Sequence, residues 1–179
     1  MAISFPEISH VLPTSITEKI TKKLRENIEL APKRALVPFS LLPNSLQEKS
    51  LTTAINYLFK DELAAGELAF LLGKWLKITI TDARYHCFIS VNAMNSHHKC
   101  QVMLTSNIAE EVAFEAKSTS LLQLFSQTVD PDTLFFQRKL LITGDTELGL
   151  EIKNFLDDLD HESLPLIIKQ ALTSYKTLV

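Results

Sequence analysis

The spacing of apolar residues changes twice along this chain, and each change predicts a different kind of element. Early on, Ile16, Ile20, Leu24 and Ile28 recur every four residues, while Lys19, Lys22, Lys23 and Arg25 fall on the other faces. That pattern predicts a short basic amphipathic helix, capped by Thr14 or Ser15 and ended by Pro32. In the following ALVPFSLLP, Pro38 and Pro43 forbid regular helix, yet Phe39, Leu41 and Leu42 make it too apolar for a bare connector. A second helix is predicted from Asn44 or Ser45, with Ser45 and Glu48 at capping-box spacing. Its buried stripe is Leu51, Ile55, Leu58 and Phe59, and Gly66 stops it.

From residue 76 the period becomes two. Leu76, Ile78 and Ile80 alternate with polar residues, as do Tyr85, Cys87, Ile89 and Val91, then Cys100, Val102 and Leu104, then Val112, Phe114 and Ala116. The short turns DAR and NSHH make the early strands an antiparallel meander with one covered face and one largely polar face. STSLLQLFSQ reads as a short helix, DPD as a turn, 133–143 as a last strand and 145–159 as a helix. SLPLIIKQALTSYKTLV closes the chain with another amphipathic helix. The predicted fold is α+β, a five-stranded and mainly antiparallel sheet with helices packed on one face. Residues 1–43 form an N-terminal helical and proline-rich extension, and residues 44–179 the domain.

Composition narrows this only a little. With 179 residues, 46% of them hydrophobic, the chain has enough material for one real core. A formal net charge of −3 gives no overall attraction to nucleic acid. Cys87 and Cys100 fall within strands and read as small buried apolar residues. No Cys/His spacing suggests a metal, and His97 with His98 reads as part of a polar turn. No secretory leader is visible and no apolar run reaches ~18 residues, so a cytoplasmic protein is expected.

Candidate chemistry is sparse. TGDTELG carries two glycines and no phosphate-loop lysine, and Asp145 at the helix start would occupy the anion position, so the turn reads as a corner. Gly149 inside the next helix needs either a close packing partner or a ligand approaching the backbone. Arg138 shares a strand face with Leu134, Phe136, Leu140 and Ile142, so it must pair, reach water or be turned out by a bulge. Alternatively it waits for an anionic or carbonyl head group at a cavity mouth. No nucleophile–base set emerges, so no catalytic residue is assigned. The apolar stripes on the later helices build either an ordinary core or the wall of a gap holding an apolar ligand.

The order of elements and the stretch DPDTLFFQRKLLITGDTELGLEIKN resemble the sterol-carrier-protein-2 family, in particular a bacterial branch of ubiquinone biosynthesis accessory factors. The resemblance covers about residues 45–159. It implies a sterol-carrier-protein-2-like sheet with helices on one side and an apolar tunnel between them for a long-chain lipid. It also implies a non-catalytic role, without a cofactor, in the oxygen-independent route to ubiquinone. The ligands would be prenylated ubiquinone intermediates or phospholipid, and the partners the UbiU–UbiV hydroxylase pair and other ubiquinone biosynthesis proteins. On this reading Leu121, Leu124, Phe125, Phe136 and Leu148 are lipid-lining candidates, as are Ile152, Phe155, Leu166 and Ile167, with Arg138 at the mouth. Lys19, Lys22, Lys23, Phe39, Leu41 and Leu42 are the candidates for contact with partners or with the inner membrane. Two rivals stay open: an enzyme acting on acyl or isoprenoid lipids, and a docking module with no lipid ligand.

Overall fold

The period-two segments do form one sheet. The computed structural model describes residues 38–94, 97–105 and 107–159; the basic helix with Lys19, Lys22 and Lys23, and the C-terminal helix with Leu166 and Ile167, lie outside them. The strands are β1 (Leu76–Ile80), β2 (Tyr85–Met94), β3 (His97–Met103), β4 (Val112–Ala116) and β5 (Leu140–Gly144), in the order β3-β2-β1-β4-β5. Three pairings are antiparallel, of which β1–β2 and β2–β3 are those the short turns predict, whereas β1 and β4 run parallel. Lys77 and Met103 both face Phe88, so β3 ends level with the start of β1. The connection 104–111 need only cross sideways to begin β4, where Val112 pairs with Leu76. His97 and His98 begin β3 instead of forming a polar turn, because the ladder continues to Met94 opposite His97.

The second face is less open than expected. Phe88 and Ser90 point away from the cavity face, yet both are almost wholly buried. Lys77 lies over the Phe88 ring, its Nζ 5.6 Å from the centroid, and is held there by Glu110 Oε1 at 3.1 Å.

Residues 38–40 are helical despite Pro38, and the main helices are α1 (Asn44–Leu58), α2 (Lys60–Ala65), α3 (Ser118–Phe125), α4 (Pro131–Phe136) and α5 (Thr146–Asp158). A 3₁₀ turn spans Ala69–Leu71. The predicted second helix is broken at Phe59 into α1 and α2, and Gly66 ends α2 at φ +81°. The capping box does not form: no side chain caps α1, and Glu48 reaches across to the sheet instead. There Glu48 Oε1 accepts from Leu104 N (2.8 Å), Thr52 Oγ1 from Val102 N (3.1 Å) and Asn56 Oδ1 from Cys100 N (3.0 Å). Asn56 Nδ2 also donates to Cys100 O at 2.7 Å. Four residues of helix rise about 6 Å and two of strand about 6.7 Å, so polar side chains every fourth residue meet alternate strand amides. The free edge of β3 is thereby satisfied without a further strand.

The largest departure from expectation lies between residues 130 and 139. The segment read as the start of the last strand is helix α4. Asp130 accepts from Thr133 N (2.7 Å) and Thr133 Oγ1 (2.6 Å), and Pro131 occupies the first turn. A cap and a helix-start proline outweigh an apolar run that also suits a strand. Arg138 therefore lies on no strand face: it sits at φ +56° in the turn after α4 and is exposed.

Gly144 and Asp145 make the expected corner. Asp145 Oδ1 accepts from Glu147 N and Leu148 N at 3.0 and 3.1 Å, capping α5. Gly149 is explained by packing, since a Cβ there would stand 2.9 Å from Ile142 Cγ2 on β5.

Candidate functional site: an apolar hollow under the helices

Alternation on the strands and three-to-four spacing on the helices send apolar side chains into a common space. Leu76 and Ile78, Cys87 and Ile89, Cys100 and Phe114 floor it from four strands. Leu121, Leu124 and Phe125 of α3 face them, with Ile152, Phe155 and Leu156 of α5 and then Leu159. Ile55, Leu58 and Phe59 close the α1 side, and Leu68, Phe70 and Leu71 the remaining one. The hollow measures about 370 Å³, and among the described residues no charged side chain lines it. The space suits hydrocarbon and offers almost nothing to a polar ligand.

Phe155 stands at one end. Its ring meets Phe59 edge-on at 5.7 Å and Phe70 at 6.1 Å. Phe70, Phe155 and Leu159 also line an adjoining hollow of about 670 Å³ with Asp61, Glu62, Glu67, Glu151 and Asp158 around it. An apolar chamber thus adjoins an acidic cleft, with an aromatic cluster between them. An anion entering by this side would be repelled by the carboxylates, and an uncharged group would not.

Burial pushes the Cys87 thiol up to about 12 and that of Cys100 up to about 11. Both therefore remain protonated at neutral pH and serve as apolar lining. Tyr85 is also pushed up to about 12, chiefly by burial and then by the charges of Cys87 and Glu48. The unfolded chain releases such protons at lower pH than the folded one. Their contribution to stability is complete below about pH 9 and is lost as the pH climbs toward 12. Denaturation midpoints followed through alkaline pH should fall across that window, and less steeply in a Cys87→Ala/Cys100→Ala variant.

Of the lining candidates named from sequence, Leu121, Leu124, Phe125, Ile152 and Phe155 converge on the hollow. Leu148 is 1% exposed in the core but does not line it, because it faces the sheet one turn into α5. Phe136 is 79% exposed and Arg138 sits in the turn beyond it; neither lines the hollow, since α4 carries both to the surface. Phe39 packs on the Tyr85 ring at 6.3 Å, while Leu41 and Leu42 are exposed. The strand side of the hollow, Ile78, Cys87, Ile89, Cys100 and Phe114, was legible only as an inward strand face. Among the described residues no cluster of three or more His, Cys, Asp or Glu could hold a metal ion. No helix among them is long and apolar enough to cross a membrane.

A five-stranded sheet with helices over an apolar hollow is the architecture of a lipid-carrier domain. The chain belongs to the SCP-2 sterol transfer family, whose model matches residues 53–157. It is 38% identical over 151 residues to the "Ubiquinone biosynthesis accessory factor UbiT" of Escherichia coli (strain K12), covering 84% of this chain and 83% of that one. A solved structure titled "UbiJ-SCP2 Ubiquinone synthesis protein" superposes with a TM-score of 0.52 at 15% identity, covering 65% of this chain and 93% of that chain. That likeness shows the shared fold.

Proposed function

We propose that this protein is a non-catalytic lipid-binding accessory factor in the oxygen-independent synthesis of ubiquinone. It holds the prenyl tail of an aromatic intermediate and leaves the ring accessible to hydroxylating partners, the UbiU–UbiV pair. The observation that carries this reading is the hollow of about 370 Å³, whose wall among the described residues holds no charged side chain. At ~0.8 kcal/mol per buried methylene, one five-carbon isoprene unit gains roughly 3–4 kcal/mol on leaving water, so such intermediates need a container to reach soluble enzymes. The acidic cleft beside Phe155 supports an uncharged phenol or quinone ring over the phosphate of a phospholipid. The identity with the UbiT relative supports the pathway. Work at the inner membrane from the cytoplasmic side fits this role.

The enzyme reading gains no support from the charged residues of the Gly144 corner and of the turn after α4. Asp145 caps α5 and Arg138 lies in an exposed turn, and neither lines the hollow. Protein expressed without oxygen and extracted with organic solvent should yield a prenylated phenol or quinone in near-stoichiometric amount by mass spectrometry. Protein that emerges empty and takes up no added prenylphenol would overturn the reading.

A further inference from the structure

The turn from α4 to β5 carries a surface that the cavity does not use. Phe135 and Phe136 are 43% and 79% exposed, and their rings meet edge-on with centroids 5.9 Å apart. The two rings pack on one another at an exposed part of the surface. Arg138 and Lys139 follow after Gln137, both exposed. The acids nearest in sequence are Asp132, paired with Lys153 Nζ at 2.8 Å, Asp145, which caps α5, and Asp130, which caps the far end of α4. Among the described residues no ion pair neutralises Arg138 or Lys139. The tip is therefore locally cationic on a chain of net charge −3.

The backbone holds these groups in place. Arg138 N donates to Phe135 O at 2.9 Å and Lys139 N to Leu134 O at 2.9 Å. This is the Schellman ending, in which the residue with positive φ is usually glycine. Here that residue is Arg138, at φ +56°. A side chain at that position is strained, and it keeps a cation beside the two aromatic rings.

We propose that this turn docks the protein on an anionic bilayer, with Phe135 and Phe136 entering the acyl boundary and Arg138 and Lys139 meeting the head-group phosphates. Aromatic rings flanked by cations are the chemistry of a membrane interface. Charge complementarity selects the anionic bilayer over a neutral one. Paired exposed rings followed by cations suit a fluid phase that closes over them. The docking does not depend on which ligand fills the cavity. Nor does it use the N-terminal segment with Lys19, Lys22 and Lys23.

The test is flotation of the full chain with phosphatidylcholine vesicles, with and without phosphatidylglycerol. Near an anionic surface each basic residue contributes about a fivefold gain in partitioning, so Arg138→Glu/Lys139→Glu should lower it by at least about twenty-fivefold. Phe135→Ser/Phe136→Ser should lower it tenfold or more, on the order of what burying one such ring gives. All four side chains are exposed, so the thermal midpoint of each variant should match the parent. A Phe136→Trp variant reports the site itself, and the emission of its introduced indole should move to the blue with anionic vesicles only. The proposal is overturned if the charge and serine variants float like the parent, or if the parent floats while the emission of the Phe136→Trp variant stays put. It is also overturned if the parent does not float and the Phe pair instead supports self-association in sedimentation.

Discussion

Tryptophan at Ile89 and at Leu121 together should abolish uptake of a prenyl chain while leaving the protein folded. Ile89 rises from β2 and Leu121 comes down from α3, and both end in the hollow. Both are only partly buried, so the larger rings move into space that no other described side chain fills. Enlarging a side chain in a solid core forces neighbours off their rotamers and costs roughly 1–3 kcal/mol. Enlarging one beside a void adds contacts instead. The denaturation midpoint should therefore hold or rise. Affinity behaves oppositely. Every isoprene unit kept out forfeits roughly 3–4 kcal/mol of burial, on the order of a hundredfold or more in dissociation constant. Titration of parent and variant with a prenylphenol gives the comparison, and equal affinity would mean that the chain binds elsewhere.

Gly144→Ala should be the most damaging small substitution in the protein. The residue sits at φ +97°, where a Cβ is strained whatever surrounds it. That Cβ would also overlap Glu111 O and stand 3.0 Å from Val112 Cα. Neither can retreat, because Asp145 N donates to the same Glu111 carbonyl at 2.8 Å and Val112 is the ladder partner of Gly144. Backbone strain and overpacking together give about 4 kcal/mol, or roughly 10 °C in melting temperature. Gly149→Ala is the contrast. Its Cβ would meet a side-chain methyl, Ile142 Cγ2, at 2.9 Å, and alanine regains ~1 kcal/mol of helix propensity. Urea denaturation should separate the two by several kcal/mol, and near-equal losses would mean that the corner is not rigid.

These two substitutions also mark what the sequence makes legible. The corner could be read because glycine followed by an acid at a helix start has one common physical meaning. The strands were equally readable, since Leu76, Ile78, Cys87 and Ile89 alternate without interruption. The parallel pairing of β1 with β4 was not. It depends on β3 ending level with Lys77, and a period of two carries no information about offset. The segment from Thr133 to Lys139 misled for a related reason: the apolar run it opens suits a strand, and the deciding Asp130 cap lies outside the run. Arg138 looked like a charge buried on a strand face only through that misreading. The site was half visible. Leu121, Leu124, Phe125, Ile152 and Phe155 stood out as helical stripes. Ile78, Cys87, Ile89, Cys100 and Phe114 read the same whether a strand face touches a helix or an empty space. Emptiness is a property of three dimensions.

A guest must make room as it enters, and the two jaws of this vice do not yield alike. The α1 jaw is bolted: moving it off β3 strands the amides of Cys100, Val102 and Leu104 together. The α5 jaw is sprung. It is seated at one end, where Gly149 meets Ile142, and tied at the other by an exposed hydrogen bond from Gln127 to Leu159 O at 2.9 Å. Among the described contacts, a guest is therefore expected to displace the Phe155 end of α5 before α1, against the Lys153–Asp132 pair and the edge-on contacts of Phe155 with Phe59 and Phe70.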